Sequence, residues 1–200
     1  MTLDRFRPVA DRLLGPWVAA AVRLGLSPDH VSLVAFGAAV AAAGAFAVAT
    51  PTLYVLGGLL VFLNGWLDLV DGALAREQGA SSAAGDLLDH VLDRYADLAL
   101  IAGFTAGAGA YGLGFLAVTG VLMTSYLGTQ IQAVGIGREY GGLLGRADRL
   151  ALMGVAAVAA AVVPGPLFVG VGVVELLLGL FAVVGHLTAL QRFLGAWRGL

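Results

Sequence analysis

The feature that most restricts this chain is a row of apolar stretches at roughly 31–49, 53–75, 85–108, 111–134, 147–163 and 167–188, each near the ~20 residues a helix needs to cross a bilayer. Short polar or Pro/Gly breaks separate them: Thr50-Pro51-Thr52, Gln78 to Ser82, Gly109, Gly135 to Gly145, and Pro164-Gly165-Pro166. Backbone groups in lipid must be satisfied within the chain, so segments of this kind specify helices. Composition agrees, with 60% of residues hydrophobic and 12% charged, against roughly 25% charged in soluble domains. The expectation is an all-α membrane protein, with residues 1–200 forming one membrane domain. Residues 1–25 set Leu3, Phe6, Val9, Leu13 and Leu14 against Asp4, Arg7, Asp11 and Arg12 at helical spacing, which predicts an N-terminal interfacial helix. About 31–188 is then a bundle of six transmembrane helices. Ser27 and Asp29 are cap candidates for the first span, and Pro28 fits its first turn.

Several function classes fall away. Cysteine is absent, which excludes disulfide frameworks, thiolate metal sites and cysteine nucleophiles. The N-terminus shows no short apolar core followed by a cleavage site, so no cleaved signal peptide is expected. All eleven basic residues are arginine. Arg5, Arg7, Arg12 and Arg23 precede the first span, and Arg76 and Arg94 flank the second connection. Arg138, Arg146 and Arg149 occupy the fourth, while Arg192 and Arg198 follow the sixth span. With an even number of spans they fall on one side, which the positive-inside rule makes cytoplasmic. A multi-pass protein of the cell membrane is expected, its polar site facing the cytoplasm.

Against this background Asp68, Asp71, Asp89 and Asp93 stand out, because ionised groups at membrane depth are expensive and mark sites. At 3.6 residues per turn Asp68 and Asp71 lie about 60° apart around their helix, and Asp89 and Asp93 about 40° apart. Each pair projects from one face. The short connection between spans two and three predicts that these spans are antiparallel neighbours that bring both pairs together. Converging carboxylates repel unless cations lie between them. All-oxygen donors suit Mg²⁺ or Mn²⁺, and two such ions roughly 4 Å apart would clamp a diphosphate. Gly72, Ala75 and Gly85 leave room for a ligand against the helices, and Arg76 can neutralise phosphate with a planar fork of donors.

Asp68-x-x-Asp71-Gly72-x-x-Ala75-Arg76, eight residues, then Gly85-x-x-x-Asp89-x-x-x-Asp93 resembles the signature of the CDP-alcohol phosphotransferase family at all eight defining positions. The layout of an interfacial helix and six spans is similar to that family over essentially the whole chain. The resemblance implies a transferase of phospholipid biosynthesis that moves a lipid phosphate from a CDP-linked lipid to an alcohol and releases CMP. Carried over by position, Asp68, Asp71, Asp89 and Asp93 would bind metal, with Asp93 also the base for the acceptor hydroxyl. Gly72, Ala75, Arg76, Ser82 and Gly85 would hold the CDP-lipid, with Asp29 and His30 contributing from before span one. A homodimer is the family's usual state. Arg94 and Gly145-Arg146-Ala147-Asp148-Arg149 resemble the branch that uses inositol phosphate, which assigns Arg146 and Arg149 to the acceptor. Ser125-Tyr126 resembles the start of that branch's fourth-helix motif, but Leu127-Gly128-Thr129-Gln130 follows where basic residues are expected. Glycerol phosphate or another alcohol therefore stays open.

Other polar residues have plainer readings. Asp97, one turn from Asp93 and Arg94, suits a structural ion pair, Asp86 faces the loop, and His90 and His186 have no catalytic part. Trp17, Trp66 and Trp197 fit an interfacial role. Glu175 falls near the middle of span six, where a carboxylate should be protonated or paired. The competing function class is a cation-coupled transporter, which predicts acids scattered across the full membrane depth.

Overall fold

The structure, a computed structural model, describes residues 7–80, 82–135, 137 and 143–199, with side chains from Leu13 onward. The expectations on Leu3 to Phe6, on the side chains of Arg7 to Arg12 and on Arg138 lie outside the described residues. The described residues form seven helices: α1 (Arg7–Arg23), α2 (Pro28–Val48), α3 (Pro51–Glu77), α4 (Ala83–Ala108), α5 (Tyr111–Ala133), α6 (Arg146–Val162) and α7 (Val173–Trp197). Their starts follow capping chemistry. Ser27 and Thr50 each precede a proline in the first turn, and their hydroxyls accept the backbone N–H of His30 and Leu53. Ser82 does the same for α4, accepting from the Gly85 N–H.

Small residues decide which helices touch. The Ala-rich face of α2 (Ala38, Ala39, Ala42, Ala45) is buried, and α2 lies between α3 and α4. A Cβ at Gly103 or Gly107 of α4 would collide with the α2 backbone at Ala43 or Phe46. Below this contact Phe46 stacks on Phe104 with ring centroids 3.9 Å apart. On the other side of the bundle α5 runs along α7, where a Cβ at Gly185 would fall 2.6 Å from the Gly120 backbone. Helix α6 closes against α3, and α1 lies over the end of α3 through Leu14, Val18, Val70 and Leu74. Trp17 of α1 meets Trp66 of α3 edge-on. Large apolar side chains such as Leu59, Phe62, Phe115, Val155 and Val183 are exposed on the outside, as a lipid-facing surface requires.

The molecule is an all-helical, multi-pass membrane protein. Helices α2 to α7 coincide with the six apolar stretches, and four of them, α2, α3, α5 and α7, are long and apolar enough to cross a membrane. The apolar run of α4 is interrupted by its acids, and α6, with 17 residues, is about 25 Å long at 1.5 Å per residue. Two expectations are corrected. Spans two and three pack principally through α2 rather than directly, because the small residues of α2 and α4 permit the closest approach. The sixth apolar stretch does not begin as helix at 167. Leu167 to Gly172 form a turn bridged between Phe168 and Val171, since Pro166, Gly170 and Gly172 interrupt the helix while apolar composition continues. Glu175 therefore sits in the first turn of α7, not mid-span, and its Oε2 accepts the Gly172 N–H at 3.0 Å.

Candidate active site

The acids converge where the C-terminal part of α3 and the N-terminal part of α4 meet the start of α2. Asp71 is buried, and its Oδ2 accepts the Ser32 hydroxyl of α2 at 2.7 Å. Two turns deeper on α3, buried Asn64 donates to the Ala35 carbonyl at 2.9 Å, tying the same two helices together. Asp68, Asp71 and Asp89 each present a carboxylate oxygen, and these oxygens lie within 4.8 Å of one another. An all-oxygen triad so close, with one member buried, fits a hard divalent cation, which would remove the repulsion among its donors. Asp93 stands beside the triad between two guanidinium groups. Its Oδ1 is 2.8 Å from Arg146 Nη2 and its Oδ2 is 3.5 Å from Arg94 Nη2. Arg146 also reaches Asp68, Nη1 to Oδ1, at 2.7 Å, so it bridges an α3 acid and an α4 acid.

The residues expected to hold the CDP-lipid lie on the last turns of α3 and at the starts of α4 and α2. The open side of Gly72 faces the Arg76 guanidinium, and that of Gly85 faces Ser82 Oγ and the Asp29 carboxylate, 3.6 Å from where a Cβ would stand. Ala75 lies partly buried on the same stretch of α3. Two of these side chains also serve helix caps. Ser82 Oγ caps α4, and His30 Nδ1 closes the α2 capping box with Ser27, 2.8 Å from its Oγ.

Arg146 and Arg149 part company. Arg146 faces the acids, whereas Arg149 is buried and pairs with Asp97 of α4, Nη2 to Oδ2, at 2.7 Å. The expected ion pair of Asp97 is present, though with a partner on α6 that sequence spacing does not indicate. Arg94 approaches Asp97 at 3.9 Å and donates to Ser125 of α5. Asp86 is exposed, and its carbonyl pairs with His90 Nδ1. Two hollows meet at this centre. A polar cleft of about 520 Å³ is walled by Arg94, Arg146, Arg149 and Arg192, and an apolar groove of about 1080 Å³ runs between α3 and α6. Asp93 and Arg146 border both. Arg192 of α7 is the residue that sequence reasoning missed, since it counted there only toward topology. Ser32 and Asn64 were missed as well, although Asn64 lies one helical turn before Asp68 and shares its face.

The profile of the CDP-alcohol phosphatidyltransferase family matches residues 25–187. The chain belongs to this family. The archaetidylinositol phosphate synthase of Methanothermobacter thermautotrophicus is 33% identical over 200 residues, covering 99% of this chain and 95% of that protein. The phosphatidylinositol phosphate synthase of Mycolicibacterium smegmatis is 33% identical over 189 residues, covering 90% and 82%. Among solved structures, the phosphatidylinositol phosphate synthase of Mycobacterium tuberculosis with CDP-DAG bound superposes with a TM-score of 0.78 at 25% identity, covering 93% of this chain and 94% of that one. The same enzyme in complex with manganese and citrate gives 0.78 at 25% identity, covering 92% and 88%. As a family member the chain is a membrane CDP-alcohol phosphotransferase and not a transporter. The clustering of its acids at one end of the bundle accords with that assignment.

Proposed function

We propose that this enzyme transfers a lipid phosphate from a CDP-linked lipid to inositol phosphate, and that residues 1–200 act as one membrane domain with six spans. The observation that carries the reading is the position of Asp93 and Arg146 where an apolar groove meets a cleft walled by four arginines. A lipid tail suits the groove between α3 and α6, and a phosphorylated polyol suits the cleft, because guanidinium forks bind phosphate in a bidentate way. Arg192 makes up for the cations absent from Leu127 to Gln130 of α5, which is why a phosphorylated acceptor is favoured over an uncharged alcohol. Support from relatives points the same way, both curated relatives being named for inositol phosphate products.

Asp68, Asp71, Asp89 and Asp93 would hold the divalent cations, Mg²⁺ or Mn²⁺ and two in number, which when bound neutralise the diphosphate. Gly72, Ala75 and Gly85 let the nucleotide lie against the helices. Arg76, Ser82, Asp29 and His30 line its path, and Ser82 keeps a hydroxyl proton to donate while its oxygen caps α4. Asp93 accepts the proton of the acceptor hydroxyl as that oxygen bonds to the lipid-bearing phosphorus. The bond to the bridging diphosphate oxygen breaks, and CMP leaves with the electron pair. Arg146 and Arg149 hold the acceptor's phosphate in the cleft. Cytoplasmic arginines would place this chemistry on the inner face of the cell membrane, and a homodimer is the proposed assembly.

The test is CMP release by purified enzyme supplied with a CDP-lipid, Mg²⁺ and a panel of alcohols. Inositol phosphate should support release that ends when the divalent cation is chelated. Release only with glycerol phosphate or with unphosphorylated inositol would overturn the acceptor assignment.

A further inference from the structure

Behind the wall of the cleft, Arg149 is held by side chains to which the reaction as described gives no part. Asp97 of α4 is 1% exposed and Arg149 of α6 is 5% exposed, and the two are joined at 2.7 Å. Asp97 lies one turn from Asp93 on α4, and Arg149 one turn from Arg146 on α6, so the pairs Asp93–Arg146 and Asp97–Arg149 form successive rungs between the same helices. Arg149 also borders a small cavity of about 10 Å³, together with Thr124 and Thr188. That is the volume a single water needs. Two of the residues on its border carry buried atoms, Arg149 Nε and Thr188 Oγ1, without a hydrogen-bond partner among the described residues. One unpartnered donor and one unpartnered hydroxyl on residues around such a space are suited to a shared water.

From this arrangement we infer that Asp97 and Thr188 are positioning residues for the acceptor: Asp97 grips one edge of the Arg149 guanidinium and Thr188, through one water, steadies its Nε. Neither side chain borders the polar cleft, whereas Arg149 does. A flexible arginine reaching into an open cleft would lose rotamer freedom on binding an anion. Held from behind on two sides, Arg149 presents its remaining donors already aimed, and the ordering cost is met during folding. Asp97 also draws the Arg94 guanidinium, at 3.9 Å, toward the same wall. Two of the four arginines of the cleft are thereby organised by one buried carboxylate.

The inference rests on the reading that the cleft takes a phosphorylated acceptor, and the experiment separates the two. Steady-state kinetics with inositol phosphate and CDP-lipid are compared for wild type, Asp97→Asn and Thr188→Val, with thermal stability in detergent measured alongside. Asp97→Asn should raise the KM for inositol phosphate on the order of tenfold, because misplacing an aimed group by an ångström can cost up to about a hundredfold. The KM for CDP-lipid should stay within about twofold. Thr188→Val should raise the acceptor KM by a smaller factor, on the order of threefold, as expected for one water-mediated contact. Lower stability with both KM values unchanged would make the cluster a strut of the fold and overturn the inference. The same conclusion follows if Asp97→Asn fails to fold while Thr188→Val keeps the wild-type acceptor KM. Wild-type enzyme that does not turn over inositol phosphate would instead remove the acceptor assignment and, with it, this use of the pair.

Discussion

Asp71 and Asp93 are the same residue type in one cluster of acids, and their neighbours suit them to different proposed tasks. Asp71 is buried and accepts a hydrogen bond from the Ser32 hydroxyl, a contact that fixes the orientation of its carboxylate as a metal ligand would require. Asp93 lies between Arg146 and Arg94 and borders the arginine-walled cleft proposed to take the acceptor. Replacing Asp93 by Asn keeps the shape and removes the basic oxygen. The variant should fold with unchanged helicity and lose about 10²- to 10⁴-fold in kcat, the usual contribution of a general base. Mn²⁺ titration followed by electron paramagnetic resonance should still detect an ion at Asp68, Asp71 and Asp89. Wild-type turnover by Asp93→Asn would remove it from the role of base.

At the scale of helices, glycines with identical chemistry differ by what lies opposite them. A methyl group at Gly185 would be 2.6 Å from the Gly120 backbone, and a backbone cannot rotate aside as a side chain can. At Gly37 of α2 nothing lies within 4 Å. Gly185→Ala should therefore push α7 away from α5 and lower stability by about 1–3 kcal/mol, as overpacking does. Gly37→Ala should be neutral or stabilise by roughly 0.5–1 kcal/mol through backbone entropy. Thermal unfolding of the two variants in the same detergent distinguishes them, and equal shifts would contradict the packing of α5 on α7. The separation of α5 and α7 also bears on the site, since Arg192 donates to the Thr124 carbonyl across this contact.

For the whole molecule, the proposed orientation rests on the distribution of arginines. The turn between α6 and α7 carries an almost fully exposed Val169, and Gln78 ends α3 near the acids. The chain has no cysteine, so single cysteines at these positions report directly. A membrane-impermeant maleimide should label Val169→Cys in intact cells and Gln78→Cys only after the membrane is opened. The reverse pattern would turn the active site outward, against the arginine distribution.

The all-helical class, the approximate helix positions and the acid motif are legible in the chain itself, because each depends on local periodicity, local apolarity or fixed spacing along one or two helices. Span lengths follow from lipid's demand for satisfied backbone groups, and helix starts such as Ser27-Pro28 and Thr50-Pro51 follow from capping. The start of α7 escaped that reading, since an apolar turn and an apolar helix have the same composition. What the tertiary structure alone decided are relations between helices distant in sequence: α2 lying between α3 and α4, Arg146 bridging Asp68 and Asp93, Asp97 paired with Arg149, and Arg192 lining one cleft with Arg94, Arg146 and Arg149. These depend on how closely two backbones can approach, which is set by opposing small residues such as Gly103 against Ala43 and Gly185 against Gly120. No single segment carries that information, because complementarity is a property of two surfaces in contact.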